Sequence, residues 1–530
     1  MKRRLIYLGL ALLGGVLPSL AWPPHTLPFL LFIAFIPFFY LESLFDQEKS
    51  NKWFGVYTYI GLFTFNILTT WWVWNASLGG AVFMLIANSL LMLLPFVLYR
   101  KAKRQIGQGR ALLFFVVAWL SFEYLHFRWG VAYPWLTLGN GFATSPNLVQ
   151  WYEYTGALGG SLWILTVNVF IFNSFTKFRK LTTFAIVALL VAPVLWSMYL
   201  KNQQGPYATK IGASPNVLVI QPNIDPYEKF AAGTKGAQID KFVELCEDGI
   251  TDDTKLIILP ETALVGNMNE SFINQDFGVR KLKSFLAKHP GVGMLVGAST
   301  HRFYEDDEPL PPYPRYFEPE AKYYDSYNTA LQIDPSGTTT TYHKSKLVPG
   351  VESLPFPIVF RKFDNILDLN LGGVSGNLGR DRQAKSFHFT LRNNEQLSIA
   401  PLICYESVFG EYVGEFVKQD ADMLAVITND GWWGNTPGHK QHMHYARLRA
   451  IEYRRYVVRS ANTGISCLID DNGAILNQLG YWKEGFLNVY IPKLKFKTFY
   501  AATGDYIGKL GVFIFLFLGL SILVKWIRLR

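Results

Sequence analysis

Cysteine is scarce. Three thiols, Cys246, Cys404 and Cys467, serve 530 residues, too few and too odd in number for a disulfide framework. One functional thiol would leave Cys246 and Cys467 as the remainder. Nothing in the sequence demands that they bond, and Cys467 lies in the strand-like Ile465–Ile469, where a buried inert thiol is the commoner case. Charge is scarce as well. Asp, Glu, Lys and Arg make up 17% of the chain, against roughly 25% in ordinary globular domains, while 50% is hydrophobic and 16% aromatic. That balance excludes an ordinary soluble protein, yet it is too charged to lie wholly in lipid. Repeats and low-complexity tracts are lacking, which excludes solenoids and linker-like chains. The histidines lack metal-ligand spacing such as His-x-x-x-His in a strongly acidic context, so no metal or cofactor is expected, and His439, His442 and His444 read as loop and helix polar residues. No small-x-small cleavage site follows the first apolar run, because Leu20-Ala21-Trp22-Pro23-Pro24 is bulky and proline-rich. The basic start, Met1-Lys2-Arg3-Arg4, is therefore expected to lead a retained span and not a signal peptide.

Long apolar runs are plentiful. Stretches near 5–22, 27–45, 54–75, 80–99, 111–127, 159–175, 182–200 and 507–526 each approach the length needed to cross a bilayer. The net charge of +10 is concentrated beside alternate loops, at 2–4, 49–52, 100–110, 177–180 and 525–530. Loops 23–26 and 76–79 carry no Lys or Arg, and 128–158 carries Arg128 alone. By the positive-inside rule both termini are cytoplasmic and the 201–506 block lies on the other face. The basic balance is thus explained by the membrane, and nucleic-acid binding is excluded. Loop 128–158, with Trp129, Tyr133, Trp135, Trp151, Tyr152 and Tyr154, is expected at the bilayer interface; a simple aromatic belt explains it equally well.

After a polar linker over 201–214, the polar block alternates strands with helices. Val217–Gln221, Leu256–Leu259, Gly293–Gly297, Tyr327–Ile333, Ser398–Ile403, Met423–Thr428, Tyr456–Ser460 and Gly464–Ile469 have the β-branched, apolar character of strands. Helical periodicity marks Ala237–Asp248, Phe277–Lys288, Gly410–Gln419 and His442–Arg454. Continuous apolar strands between helices predict an α/β layered domain over 215–495 with both sheet faces covered. It follows a helical membrane part over 1–200 and precedes a last span over 507–526. The acidic, proline-rich Glu305–Pro314 is expected to be an exposed loop.

Within this block, Cys404 closes a strand, Glu261 follows Leu259-Pro260, and Lys344 follows the strand-like Thr338–Tyr342. Thiolate chemistry needs a base for the thiol proton, a cation for the thiolate and oxyanion, and shielding from water. A Cys, a Glu and a Lys at three strand ends supply the residue types. Each taken singly is commonplace: an inert thiol, a cap and a solvated lysine.

Together with their neighbours, the three resemble the Glu-Lys-Cys triad of the carbon-nitrogen hydrolase (nitrilase) superfamily. The resembling stretches are Leu259-Pro260-Glu261-Thr262, Tyr342-His343-Lys344-Ser345-Lys346-Leu347-Val348-Pro349 and Ile403-Cys404-Tyr405-Glu406. With Gln221-Pro222-Asn223-Ile224, Pro134-Trp135-Leu136-Thr137-Leu138-Gly139, Thr428-Asn429-Asp430-Gly431-Trp432-Trp433-Gly434 and Gln441-His442, and with the preceding spans, the whole chain is similar to the membrane-embedded branch that acylates bacterial lipoproteins.

The resemblance implies an αββα sandwich and a ping-pong acyl transfer through a Cys404 thioester. A phospholipid would give a fatty acyl chain to the α-amino group of a diacylglyceryl-cysteine on an apolipoprotein. A monomer in the bacterial inner membrane, with its catalytic part outside the cytoplasm, is expected. Glu261 would be general base and acid, and Cys404 the nucleophile. Lys344 would be the cation, chosen over Lys346 because the family's lysine precedes a glutamate by eight positions, here Glu352. Glu352, Tyr405 and Glu406 would support the thiol pocket. Trp432 and Trp433 would cover an acyl chain or simply pack. The chain departs from the family pattern at Pro349-Gly350-Val351-Glu352 and lacks an obvious indole after the Gln-x-Asn stretch, where Phe230 stands as a substitute. A membrane-tethered amidase with water as acceptor, and an idle lipoprotein-binding scaffold, are the rival expectations. A reporter fused after Ser214 should be active only outside the cytoplasm; activity confined to the cytoplasm contradicts the predicted topology.

Overall fold

The computed structural model describes residues 2–48, 53–176, 180–203, 216–231, 233–311, 314–353, 377–494 and 496–528. Residues 204–214 of the expected linker, and Lys49, Lys52, Lys177, Arg179 and Arg530 among the flanking cations, lie outside the described residues. The chain divides into two compact units, Met1–Trp74 with Leu78–Gln203 and Thr498–Arg530, and Asn75–Ser77 with Gln204–Lys497.

In the first unit, helices form at all eight positions read as spans. By length and composition, five are long and apolar enough to cross a membrane: Pro28–Gln47, Leu78–Ile106, Tyr152–Phe175, Lys180–Gln203 and Tyr506–Lys525. The other three fall short for visible reasons. Lys2–Ser19 opens on three cations, and Gln108–His126 includes Arg110 and Glu123. Phe54–Thr70 has 17 residues, about 26 Å at 1.5 Å per residue. The second span is not one continuous α-helix, since a 3-10 turn over Pro28–Ile33 precedes the α-helix Ile36–Gln47. Asn168 repairs the break. It donates to the Leu31 carbonyl at 2.7 Å and accepts from the Phe35 N–H at 2.9 Å, satisfying backbone groups that lipid cannot. The 128–158 loop winds through three 3-10 turns. Trp135, Trp151 and Tyr152 are buried inside the unit and do not form an exposed belt; Trp135 packs on Trp72 with ring centroids 5.1 Å apart.

In the second unit the strands are β1 (Val217–Gln221), β2 (Leu256–Ile258), β3 (Leu264–Asn269), β4 (Gly293–Phe303), β5 (Arg315–Phe317), β6 (Lys322–Ile333), β7 (Thr339–His343), β8 (Phe387–Thr390), β9 (Gln396–Ile403), β10 (Met423–Thr428), β11 (Val457–Ala461), β12 (Cys467–Ile469), β13 (Ile475–Gln478) and β14 (Gly485–Val489). They make two sheets. One runs β14-β1-β2-β4-β6-β5 with β3 beside β4 and β7 beside β6; the other runs β13-β12-β11-β10-β9-β8. The strands β1, β2 and β10 are buried at every residue, which is why they read as unbroken apolar runs. The sheets pack face to face through β1 on β11 and β6 on β9. The helix Lys235–Gly249, with Phe277–Ala287 against it, covers the first sheet, and Gly410–Lys418 and Pro437–Tyr453 cover the second. The result is the αββα sandwich. Cys246 lies in the core of the first sheet and Cys467 on a strand of the second; both are free, buried thiols.

Parallel pairing of β1, β2 and β4 and of β9, β10 and β11 aligns their carboxyl ends, where loops leave the layers and sites form. The turn after β2 runs close over β4 at Gly297. A Cβ at Gly297 would lie 2.3 Å from the Pro260 carbonyl oxygen and 2.5 Å from Glu261 Cα, so only glycine fits beneath that turn. Gly297→Ala should lower stability by about 1–3 kcal/mol and displace Glu261. Thermal unfolding of the full chain in detergent checks this, and an unchanged midpoint contradicts it.

Candidate active site

Four strand ends converge. Glu261 lies just beyond β2, Lys344 follows the last residue of β7, Cys404 follows the last residue of β9, and Asn429 follows the last residue of β10. The structure brings Glu261, Lys344 and Glu352 into one hydrogen-bonded cluster. Lys344 Nζ donates to Glu352 Oε1 at 2.8 Å and to Glu261 Oε1 at 3.2 Å. Asn328, on β6, donates its side-chain amide to Glu261 Oε1 at 2.7 Å and to Glu352 Oε1 at 3.3 Å. The remaining carboxylate oxygens are also engaged. Glu261 Oε2 accepts from the Asn429 N–H at 2.9 Å, and Glu352 Oε2 from the Val348 N–H at 2.8 Å. All four side chains are buried.

The electrostatics follow from that geometry. Burial alone would lower the Lys344 ammonium; Glu352 first, then Glu261 and the Cys404 sulfur, outweigh it and hold the ammonium well above the ordinary lysine range. Burial pushes the Cys404 thiol up. Glu261 and Asp430 push the same way, while Lys344 and the Thr428 hydroxyl pull it back. A resting thiolate is therefore not what this pocket provides. Lys344 is influenced by both the Glu261 carboxylate and the Cys404 sulfur.

Cys404 has a positive φ of +49°, a conformation that strains a non-glycine residue. It opens a 3-10 turn over Cys404–Val408. Its carbonyl oxygen accepts from Ser407 Oγ at 2.8 Å and from His442 Nε2 at 3.1 Å. His442 Nδ1 lies 2.9 Å from Asp430 Oδ1, and Arg459 donates to Asp430 Oδ2 at 2.8 Å. Burial would raise Asp430, but His442 and Arg459 hold its carboxyl well below the usual range. Cys404, Asp430 and His442 carry ligand-type atoms within 4.8 Å of one another. Both Asp430 oxygens are already taken, so Asp430 and His442 brace the Cys404 backbone and the trio does not fit an open metal site.

Glu406 ties two of the strand ends together. Its Oε1 accepts from Tyr342 OH at 2.5 Å and the Ser345 N–H at 2.7 Å, and its Oε2 from the Ile403 N–H at 2.8 Å. Burial pushes it up to about 7, against the pull of these donors. Tyr405 is buried edge-on against Phe409 with ring centroids 5.1 Å apart. The side chain of Lys346 takes a different course from that of Lys344, placing its Nζ over the rings of Tyr412 and Phe409 at 4.7 and 5.6 Å. Trp432 and Trp433 are half-buried, the first edge-on to Tyr227 and the second edge-on to His442. Phe230 is half-buried in the loop after β1.

Sequence reasoning missed Asn328, Lys229 and the Asp430–His442–Arg459 brace. Asp430 and His442 stand within recognisable stretches, and the sequence predicts His442 only as a loop or helix polar residue. It proves to be a fully buried residue of the helix Pro437–Tyr453. Its position twelve residues after Asp430, across a turn and into a helix, was the available signal. Asn328 sits mid-strand with no motif around it.

Comparisons with known proteins bear on this site. A family model described as "Apolipoprotein N-acyltransferase N-terminal domain" matches residues 14–170, and one described as "Carbon-nitrogen hydrolase" matches residues 217–502. A Chlorobaculum tepidum protein named Apolipoprotein N-acyltransferase is 29% identical over 509 residues, covering 94% of this chain and 92% of its own length. Proteins of the same name from Pasteurella multocida and Thermotoga maritima are 27% and 25% identical, over 95% and 96% of this chain and 93% and 92% of their own. Among solved structures, an amidase of the nitrilase superfamily from Nesterenkonia AN1 aligns with 57% of this chain and 97% of its own, at 15% identity and a TM-score of 0.37.

Removing Lys344 leaves two buried carboxylates without their cation, a change that costs about 3–5 kcal/mol. Lys344→Met should therefore lower the unfolding midpoint and slow iodoacetamide labelling of Cys404 at least tenfold, whereas Lys346→Met should label at the wild-type rate. Mass spectrometry of the labelled chain reads the difference; the reverse pattern contradicts the geometry.

Proposed function

Because the chain belongs to the carbon-nitrogen hydrolase family, whose model spans residues 217–502, more than half of its 530 residues, we propose that it is an N-acyltransferase of lipoprotein maturation. It transfers a fatty acyl chain from a membrane phospholipid to the α-amino group of the N-terminal diacylglyceryl-cysteine of an apolipoprotein. The observation that carries this reading is the buried Glu261–Lys344–Glu352 cluster beside Cys404, on a chain that also has five helices suited to a membrane. Relatives along nearly its whole length are named for that activity.

In the first half-reaction Cys404 Sγ attacks the phospholipid ester carbonyl while Glu261 takes the thiol proton. The Lys344 ammonium faces the negative charge that develops on sulfur and on the carbonyl oxygen. The tetrahedral intermediate collapses, Glu261 returns the proton to the departing lysophospholipid oxygen, and the acyl group stays on sulfur as a thioester. In the second half the acceptor amine attacks the thioester and gives a proton to Glu261. The thiol leaves, recovers that proton, and an amide is formed. Glu352 holds Lys344 in place, Glu406 and Tyr405 shape the thiol pocket, and Phe230, Trp432 and Trp433 supply apolar walls that keep water from the thioester.

The protein works in the bacterial inner membrane as a multi-pass chain with eight spans, over 1–200 and 507–526. The catalytic residues, within 215–495, lie outside the cytoplasm. Full-length protein incubated with phospholipid alone should gain one fatty acyl mass on Cys404 and lose it when a diacylglyceryl lipopeptide is added, with lysophospholipid and N-acylated peptide as products. Cys404 that stays unmodified in a preparation that still acylates the peptide contradicts the covalent route.

A further inference from the structure

Lys229 is 1% exposed and has no part in the chemistry above. It lies in the loop after β1. Its Nζ donates to the Glu261 carbonyl oxygen at 3.0 Å and to Thr262 Oγ1 at 2.9 Å. Thr262 has a positive φ of +49°, so the lysine grips the strained corner of the turn that carries Glu261. Its own backbone is held in turn, since the Lys229 carbonyl accepts from Gln238 Nε2 at 2.7 Å at the start of the helix Lys235–Gly249.

Burying an ammonium against a carbonyl and a hydroxyl is costly, because neither partner is charged. A nearby charge that requires it resolves the cost. Within the cluster, Glu261 and Glu352 bring two negative charges and Lys344 one positive charge. One negative charge is left over in that count, and the Lys229 amine lies against the turn that carries Glu261.

We propose that Lys229 is a positioning residue for Glu261: it fixes the turn that presents the carboxyl group and, as the second cation of the cluster, keeps that group ionised and able to take the Cys404 proton. The proposal rests on the acyl-transfer reading only in taking Glu261 as the base. While Lys229 carries its proton, thiol activation moves one proton from Sγ to the Glu261 carboxylate and leaves the summed charge of Glu261, Glu352, Lys344, Lys229 and Cys404 at zero.

Burial draws Lys229 down to about 7, and the charge of Glu261 holds it up. Other charges on the surrounding elements are occupied or turned outward. Lys235, on the adjoining helix, pairs with Asp276 at 2.7 Å. In the lysine's own loop, Asp225 accepts from the Tyr227 N–H at 2.9 Å and Glu228 is exposed.

The test is the pH profile of Cys404 alkylation by iodoacetamide in the full-length chain, read by mass spectrometry, for wild type, Lys229→Met and Lys229→Gln. Both variants remove a positive charge from beside the proposed base, so both should move the acid limb of the profile upward by about one pH unit or more. Labelling on that limb then falls about tenfold. Glutamine keeps a donor for the turn but no charge, so a Lys229→Gln profile that overlays wild type shows a mere staple and overturns the proposal. If Lys229→Met fails to fold, Lys229→Gln decides alone. A wild-type profile with no acid limb removes Glu261 as the base, and both the acyl-transfer reading and this proposal fall with it.

Discussion

The structure depends on one buried constraint, an ammonium shared between two carboxylates. Taking three charges out of water carries a desolvation cost of several kcal/mol per ion, and a buried ion pair is often no more stable than well-packed apolar side chains. Stability alone does not explain why Lys344, Glu261 and Glu352 are found together with every carboxylate oxygen engaged. Chemistry does. A thiol raised by burial is a poor nucleophile until a base and a cation stand beside it, the roles proposed for Glu261 and Lys344. The amide of Asn328, bridging both carboxylates, adds the directional restraint that charges alone lack.

The fold exists to deliver these groups together. No two of Glu261, Lys344 and Cys404 are near in sequence, yet each stands at or just past the end of a strand in one of two facing sheets. Glu406 ties the Lys344 turn to the end of β9 through three strong acceptor contacts, and the Asp430–His442–Arg459 brace holds the strained Cys404 carbonyl. Gly297 lets the Glu261 turn lie against β4. Strain at Cys404 is thus opposed by several independent contacts, as strained functional residues require.

Much of this architecture was legible in the sequence where burial dictates composition. Val217–Gln221 and Met423–Thr428 have the predicted bounds because both faces of each strand are covered. The strands β3, β5, β13 and β14 are partly exposed and short, so their apolar signal is diluted. The antiparallel return of β14 to β1, across more than two hundred residues, has no local signature. The helix Pro437–Tyr453 starts five residues earlier than its apolar periodicity predicts, because Thr436 caps it and Pro437 fits its first turn. The three triad residues were legible as motifs. Of their partners Glu352 was legible, eight positions after Lys344, but Asn328 and Lys229 were not, since an asparagine in mid-strand and a lysine beside Phe230 look like ordinary surface residues until the sheets close over them.

On the proposed route through a covalent thioester, donor and acceptor meet Cys404 in turn and never each other. Initial rates measured while phospholipid and lipopeptide are both varied test this directly. Parallel double-reciprocal lines are predicted for a free acyl-enzyme, and lines that intersect would contradict it.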